Sequence, residues 1–180
     1  MNKIKTVFAR GENFGVIDKA TVNLNNTYAT EKVDGTNIRL TIRNNAVVRI
    51  EARKNPTKQQ KKNGIIDAWY RDIDEVQDKW IIDAVNSREY NIPNGEWCAE
   101  AYGRKIQNAL NVDGNHVFVF SYYNELEKTF FEDCPITYDE LKEWLPKQDS
   151  KIGNAKIEGI VFYRMETSNP IGKIKTKDFK

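Results

Sequence analysis

The clearest pattern along the chain is the strict alternation of hydrophobic and polar residues over positions 38–43. A period of two predicts a β-strand with one buried side. Asn44 and Asn45 follow, a pair that tolerates the positive φ of a tight turn. Val47, Val48 and Ile50 supply a returning strand. The pattern therefore predicts a β-hairpin.

The hydrophobic period changes after a polar, basic stretch at residues 54–63, which we interpret as a loop. From Ile65 onward, hydrophobic residues recur at spacings of three or four as far as Ala84. This spacing predicts an amphipathic helix that ends near Ser87. Trp69 and Trp80 belong to its hydrophobic stripe, so they are predicted to be core anchors.

Further strands and one short helix are predicted in the second half of the chain. Thr137 and Glu140 have the spacing of a capping box, so a helix begins there and stops before Pro146. Residues 147–156 are polar and read as a loop. The hydrophobic runs predict four strands, at residues 96–102, 117–123, 157–163 and 171–175. Strands with interposed helices indicate the α+β class.

Composition narrows the class of protein without fixing its function. The chain has 180 residues, of which 39% are hydrophobic, so it suits one folded domain or two very small ones. Its net charge of +2 neither demands nor excludes a nucleic-acid partner. Cys98 and Cys134 lack metal-like spacing and are expected to be reduced thiols. His116 is the only histidine, which argues against a His-based triad. No apolar run is long enough to span a membrane and no signal peptide is visible, so we expect a cytoplasmic protein without a membrane partner.

Candidate chemistry begins at Lys32, which lies between two predicted strands and is followed by Asp34, Gly35 and Asn37. An amine nucleophile that attacks a nucleotide phosphate needs such neighbours, although the same run also makes a surface turn. Free lysine has a pKa of about 10.4, and burial or nearby cations lower the pKa of such an amine. The end of the chain offers two cations on one strand face, at positions 173 and 175.

Acidic residues on predicted strands form a second set of candidates. Glu96 and Glu100 point to the same strand face, together with Cys98. Glu158 is followed by a glycine at the start of a hydrophobic strand, which is unusual for a purely structural segment. The lysines within residues 54–62 either track a nucleic-acid backbone or form a solvated loop.

Five segments in this order resemble the covalent nucleotidyltransferases, and among them the RNA ligases of the RNA ligase 2 type. They are residues 30–37, 95–107, 117–121, 156–162 and 172–175. The resemblance implies an α+β nucleotidyltransferase fold, the ATP-grasp-like adenylation domain of ligases, built from antiparallel sheets with flanking helices. It covers residues 28–178, so we expect a single nucleotidyltransferase domain over residues 1–180, without a C-terminal OB or RNA-binding domain.

The resemblance implies that Lys32 takes AMP from ATP and releases pyrophosphate, with Lys173 and Lys175 as catalytic contacts to the α-phosphate. Mg²⁺ or Mn²⁺ would be held by Asp34, Glu100 and Glu158.

The remaining matches imply nucleotide contacts. Glu31 and Asn37 flank the nucleophile, Arg53 engages phosphate, and Phe120 stacks on adenine. Glu100 binds the ribose, and its spacing to Gly103 and Gln107 fits the family, while Glu96 fits part of the motif and is a rival. Two positions depart from the family pattern, with Ala99 in place of glycine and Ser121 in place of aspartate.

The expected function is ATP-dependent joining of RNA 3′-hydroxyl and 5′-phosphate ends, in nicked duplexes or single strands, in a bacterial cell or a virus-infected host cytoplasm. Two alternatives stay open. One is a DNA or hybrid nick ligase with the same chemistry. The other is a non-catalytic nucleotide- or nucleic-acid-binding domain.

Overall fold

The computed structural model describes residues 4–120, 123–167 and 169–179. Contacts group the chain into two compact units. The first unit comprises residues 1–34, 110–112 and 121–180, and the second comprises residues 35–109 and 113–120. Both units are built on antiparallel sheets, so the predicted α+β class is confirmed. No helix among the described residues is long and apolar enough to cross a membrane.

The first unit holds a two-stranded sheet and a four-stranded sheet. The two-stranded sheet pairs β1 (Phe8–Arg10) with β2 (Val16–Ala20). The strands of the four-stranded sheet, in spatial order, are β11 (Pro170–Lys175), β10 (Gly159–Arg164), β3 (Thr27–Glu31) and β9 (Phe130–Phe131).

Short helices complete the first unit. They are α3 (Tyr123–Leu126), α4 (Tyr138–Trp144) and the 3₁₀ turns Glu127–Thr129, Leu145–Lys147 and Thr176–Asp178. One core cluster joins the sheets to α4, with Phe162, Leu141 and Ile174 almost fully buried. Burial of this cluster is the main source of stability in the unit.

The second unit is a five-stranded antiparallel sheet with two helices. In spatial order the strands are β6 (Trp69–Asp72), β5 (Ala46–Lys54), β4 (Thr36–Arg43), β7 (Gly95–Gly103) and β8 (Asn115–Val119). The helices are α1 (Lys58–Lys62) and α2 (Lys79–Asn86). The hydrophobic side of this sheet carries Ile38, Leu40 and Ile42, which are fully buried.

The predicted hairpin is confirmed as β4 and β5. Asn44 and Asn45 have φ values of 50° and 62°, as expected for this turn. The predicted strands at 96–102, 157–163 and 171–175 are confirmed within two residues as β7, β10 and β11. The strand predicted at 117–123 ends at Val119, and residues 121–122 lie outside the described part of the chain.

The long helix predicted from Ile65 to Ser87 is wrong, although its end at Ser87 is confirmed. Residues 69–72 instead form β6, because they pair with residues 51–54 of β5 along the edge of β5 that faces away from β4. The side chain of Asp74 then accepts hydrogen bonds from the amides of Val76 and Gln77, which forms a turn ahead of α2. The helical spacing of hydrophobic residues gives no information about pairing with β5, so the sequence did not predict this strand.

Two smaller predictions also need correction. The loop predicted over residues 54–63 contains α1, because Thr57 and Gln60 form a capping box at its start. The helix predicted after Thr137 is confirmed as α4, but the Thr137 hydroxyl donates to the Glu140 carboxylate (2.5 Å) and does not cap a backbone amide. Strands β1 and β2 were not predicted from the sequence.

Candidate functional site

Three adjacent strands of the first unit bring together Lys32, Glu158 and Lys175, which we call the lysine–glutamate cluster. Strand β10 lies between β3 and β11, with Ile160 opposite Glu31 and Gly159 opposite Lys175. The Lys32 amide donates to the Gly159 carbonyl (2.9 Å), which continues the ladder by one residue. The end of β3, the start of β10 and the end of β11 therefore meet at one edge of the sheet.

Glu158 bridges the two lysines of this cluster. One carboxylate oxygen pairs with the Lys32 ammonium and the other pairs with the Lys175 ammonium. The three side chains are only 19%, 14% and 21% exposed, in the order Lys32, Glu158, Lys175. Burial alone would raise the pKa of Glu158, but the two lysines outweigh burial and lower the pKa below its usual value. Glu158 therefore stays ionised at neutral pH.

Asp34 lies in the same electrostatic environment. Its pKa is raised first by burial and then by the negative charge of Glu158, while Lys32, Lys175 and Lys177 act in the opposite direction. A bound cation would offset the repulsion that Glu158 exerts on ionised Asp34. Asp34 and Glu158 therefore supply oxygen ligands of the kind that Mg²⁺ and Mn²⁺ prefer.

Lys173 lies two residues before Lys175 on β11, on the same side of the strand. The residue between them, Ile174, is fully buried on the other side, so the predicted alternation is confirmed. The backbone of Lys173 exchanges hydrogen bonds with residues 5 and 7, which cover the outer edge of β11. At Lys173, β11 is thus paired along both of its edges.

Two residues that the sequence analysis missed support the position of Lys175. The Asp178 carboxylate accepts a hydrogen bond from the Lys175 amide (3.0 Å) and pairs with Arg10 (2.8 Å). Arg10 precedes Asp178 by 168 positions, and no local spacing in the sequence links them.

Glu31, another predicted nucleotide contact, is buried and hydrogen-bonded within the first unit. The residue is 2% exposed, and its carboxylate accepts hydrogen bonds from the Ser150 hydroxyl and the Lys151 amide, both at 2.7 Å. Burial raises the pKa of Glu31. Glu31 therefore anchors the 150–151 segment to the end of β3.

The second unit contains a separate polar group made of Asn37, Tyr70 and Glu100, which we call the asparagine cluster. Asn37 lies directly opposite Glu100 in the β4–β7 ladder, and its side-chain amide donates to the Glu100 carboxylate (3.3 Å). The Tyr70 hydroxyl donates to the Asn37 side-chain oxygen (2.7 Å). Arg53 lies opposite Tyr70 in the β5–β6 ladder. Three predicted residues therefore lie on neighbouring strands.

Tyr70 is the residue of this cluster that the sequence analysis missed, because it fell within the wrongly predicted helix. Burial, followed by the neighbouring Cys98, raises the pKa of Tyr70. Arg39 lies 4.7 Å from the centre of the Tyr70 ring and forms a bidentate pair with Glu51 at 2.6 and 2.8 Å. Tyr70 is therefore a neutral hydrogen-bond donor that orients the Asn37 amide.

The structure separates the two rival acids on β7. Glu100 is 8% exposed within the asparagine cluster, whereas the Glu96 side chain is 54% exposed and lies 3.6 Å from Arg39. Gln107 donates to the Gly35 carbonyl (2.8 Å), which ties the turn after Asp34 to the end of β7. A side chain at Gly35 would come within 2.3 Å of the Ala101 carbonyl oxygen, so only glycine fits there.

Phe120 lies just beyond β8, where its amide donates to the Cys98 carbonyl (2.9 Å). Its ring contacts Phe118 edge to face, with 5.8 Å between the ring centres. Ser121, the departure from the family pattern, lies outside the described residues.

The predicted metal ligands are divided between the two units. Asp34 and Glu158 belong to the first unit and Glu100 to the second. Within residues 4–120, 123–167 and 169–179, no group of three or more His, Cys, Asp or Glu side chains has the geometry of a metal site. The first unit therefore offers at most the carboxylate pair of Asp34 and Glu158.

Comparison with known proteins gives one family match. The model of the RNA ligase family matches residues 25–175, which include both clusters. No curated protein sequence matches the chain.

Solved structures of a Naegleria gruberi RNA ligase share the fold. A variant with ATP and Mn has a TM-score of 0.54 and 14% identity over 97% of this chain and 55% of that chain. A second variant with ATP and Mn has a TM-score of 0.53 and 13% identity over 98% and 62%. A ligand-free variant has a TM-score of 0.53 and 14% identity over 86% and 51%. The chain thus spans about half to three-fifths of the length of these proteins.

Proposed function

The chain belongs to the RNA ligase family, and we propose that it is an ATP-dependent RNA ligase that works through AMP bound to Lys32. The observation that carries this proposal is the ion-paired contact of Lys32, Glu158 and Lys175. A lysine that pointed into bulk water, away from other charged groups, would have opposed it. Lys32 is instead mostly buried and is surrounded by charges that a triphosphate and a cation can rearrange.

The first step of the proposed reaction forms a nitrogen–phosphorus bond. The Lys32 amine attacks the α-phosphorus of ATP, the bond from that phosphorus to the bridging oxygen breaks, and pyrophosphate leaves. The amine must first leave its pair with Glu158 and lose a proton. Lys175 pairs with the same carboxylate, which supports its proposed role of stabilising the negative charge that develops on the α-phosphate.

The second and third steps transfer AMP and then release it. An oxygen of the RNA 5′-phosphate attacks the AMP phosphorus, and the bond to Lys32 breaks. The RNA 3′-hydroxyl then attacks the 5′-phosphorus, forming the phosphodiester and releasing AMP. Arg53 suits the RNA phosphate because a guanidinium binds two phosphate oxygens at once.

Divalent metal binding is proposed for the carboxylates of Asp34 and Glu158. When bound, Mg²⁺ or Mn²⁺ would act as a Lewis acid toward the α-phosphate oxygens. The negative charge of Glu158 contributes to the raised pKa of Asp34, and this repulsion, which a bound cation would offset, supports the assignment. In the second unit, Asn37 and Glu100 remain the proposed contacts to phosphate and ribose, and Phe120 the proposed contact to adenine.

The proposal is tested by incubating the protein with ATP labelled at the α-phosphate and a divalent cation, followed by a denaturing gel. We expect label on the wild-type chain and none on Lys32→Ala or Lys32→Arg. The matched control is Lys128→Ala, which removes an exposed lysine of the same unit and should leave labelling unchanged. Uptake of label by Lys32→Ala would show that another residue is the nucleophile. Parallel reactions with GTP and NAD identify the nucleotide.

The polynucleotide substrate is tested in a second assay. Nicked RNA, single-stranded RNA ends, nicked DNA and a nicked hybrid are each supplied with ATP, and the joined product is measured. We expect RNA ends to be joined fastest. Faster joining of DNA would contradict the RNA assignment. RNA binding without any AMP labelling would indicate a non-catalytic binding domain.

A further inference from the structure

A basic cleft of about 290 Å³ in the second unit shares Arg53 with the chemistry proposed above, but its other lining residues have no role in that chemistry. We call it the Trp80 cleft, after the aromatic side chain at its wall. Its lining includes the cations Arg53, Lys54, Arg71 and Lys105. It is thus formed by the ends of β5 and β6, the start of α2 and the loop after β7.

Trp80 presents its ring at the surface of this cleft. The buried stripe of α2 is formed by Ile81, Ala84 and Val85, and Trp80 lies outside that stripe. Its residue surface is 41% exposed, although the sequence had predicted a core anchor. The helix is therefore anchored without Trp80, which leaves the indole available to a ligand.

The charges of the Trp80 cleft are largely unbalanced. Asp78 is the one acid that lines it in the described part of the chain, and Arg71 pairs with that carboxylate at 2.6 Å. The side chains of Arg53, Lys54 and Lys105 make no ion pair or hydrogen bond among the described residues. The cleft therefore carries excess positive charge, which favours a polyanion.

Cations also flank the indole itself. The Lys79 ammonium lies 5.1 Å from the centre of the Trp80 ring, and the Lys105 ammonium lies 5.7 Å from it. Both distances are close to the limit of about 6 Å for a cation–π contact, so the contacts with the ring are weak. The two lysine side chains are flexible and can move from the ring to a bound phosphate. An aromatic ring with phosphate-binding cations beside it is the arrangement that binds unpaired nucleotides.

We propose that the Trp80 cleft binds a single-stranded segment of the RNA substrate, with an unpaired base stacked on Trp80. Lys54 and Lys105 then contact the adjoining phosphates, and Arg53 continues the cationic path. Such binding is tolerant of sequence, because every base has a stacking face and the phosphates carry no sequence information. The identity of the polynucleotide as RNA rests on the proposed function, whereas the stacking contact does not.

The test measures fluorescence anisotropy of a labelled single-stranded oligouridylate with the full chain, without ATP. Stacking energies predict that Trp80→Leu weakens binding by about fivefold to a hundredfold. Trp80→Phe keeps an aromatic ring and should retain most of the affinity. Lys54→Ala and Lys105→Ala should each weaken binding and lower the slope of log affinity against log salt by about one.

Two controls make the result specific to this cleft. Trp69→Leu removes another exposed indole, 39% exposed, that does not line the cleft, and Lys62→Ala removes an exposed lysine of α1. Both should bind the oligomer nearly as well as wild type. A fully paired RNA duplex has no unstacked base, so Trp80→Leu should not change its affinity.

Several results would overturn the inference. The first is that the wild-type chain does not bind the oligomer, and the second is that Trp80→Leu binds it as tightly as wild type does. The third is that Trp80→Leu and Trp69→Leu lose the same amount of affinity for it. An equal loss of duplex and single-strand affinity in Trp80→Leu would also overturn it. Because binding is measured without ATP, failure here is distinct from failure of Lys32 to take up AMP.

Discussion

The backbone amide of Lys32 donates a hydrogen bond to the carbonyl oxygen of Gly159 (2.9 Å), the residue that directly follows Glu158. The contact between the side chains of Lys32 and Glu158 is therefore fixed by the main chain and does not depend on flexible side chains alone. If Lys32 is the nucleophile, as proposed, this backbone constraint would hold its amine in position before any substrate binds.

Substitution of Gly159 should disturb this arrangement directly. A Cβ atom there would lie 2.2 Å from the Ile174 carbonyl oxygen and 2.7 Å from the Lys175 Cα, so β10 and β11 would have to separate. We expect Gly159→Ala to lower the free energy of unfolding by about 1–3 kcal/mol and to reduce AMP labelling. Urea denaturation and the labelling gel measure these effects.

Gly11→Ala is the matched control for this substitution. At Gly11 the closest contact of a new Cβ is the Cγ2 methyl of Ile17, at 2.9 Å, and this side chain is 46% exposed and can rotate away. We expect a much smaller loss of stability and normal labelling. A Gly159→Ala protein with wild-type stability and labelling would show that the close approach of these strands is not required.

Opposite effects on stability are expected for substitutions of Asp34 and Glu158. The pKa of Asp34 is raised from its ordinary value of 3.8, so ionised Asp34 destabilises the folded state at neutral pH. The pKa of Glu158 is lowered from 4.5, so ionised Glu158 stabilises it. At neutral pH, Asp34→Asn should raise the free energy of unfolding and Glu158→Gln should lower it, as measured by urea denaturation.

The pH dependence follows from the same shifts. The penalty from Asp34 is present above its folded pKa and disappears once the pH falls below 3.8. The contribution of Glu158 is present above 4.5 and is lost as the pH falls through its lower folded pKa. Both differences from wild type should therefore shrink in acid. The control substitutions Asp67→Asn and Glu143→Gln, at exposed sites, should leave the free energy of unfolding at neutral pH close to that of wild type. Effects of the same sign at Asp34 and Glu158 would contradict the electrostatic account.

Tyr70 is expected to act as a positioning residue for Asn37. Tyr70→Phe removes the hydroxyl that donates to the Asn37 side-chain oxygen (2.7 Å) but keeps the ring. We expect a loss of about 1 kcal/mol in stability. If Asn37 contacts the nucleotide phosphate, kcat for AMP uptake should fall by about fivefold, with a smaller change in KM for ATP. Single-turnover labelling at several ATP concentrations separates the two constants.

Tyr28→Phe provides the comparison for this tyrosine. The Tyr28 hydroxyl is buried and has no hydrogen-bond partner among the described residues, so its removal should be neutral or slightly stabilising. AMP uptake that is unchanged in Tyr70→Phe would show that the hydrogen bond to Asn37 has no role in catalysis.

Sequence reasoning succeeded where a local pattern decides the structure. Alternation of side chains placed the β4–β5 hairpin correctly and put Lys173 and Lys175 on one side of β11. It failed at residues 69–72, because the partner that makes them a strand is β5, and helical spacing carries no information about strand partners. The same error concealed Tyr70 and misplaced Trp80 in the core.

By itself the sequence determined the strand that precedes Lys32, the turn that follows it and the alternation of the final lysines, since these depend on neighbouring residues. Only the tertiary structure decided that Lys32 touches Glu158, 126 positions away, and that Glu158 also pairs with Lys175. The physical reason is that strand order and register, which set these contacts, depend on how whole strands pack together. The exposure of Trp80 was also decided by tertiary packing, because α2 buries Ile81, Ala84 and Val85 and leaves Trp80 at the surface.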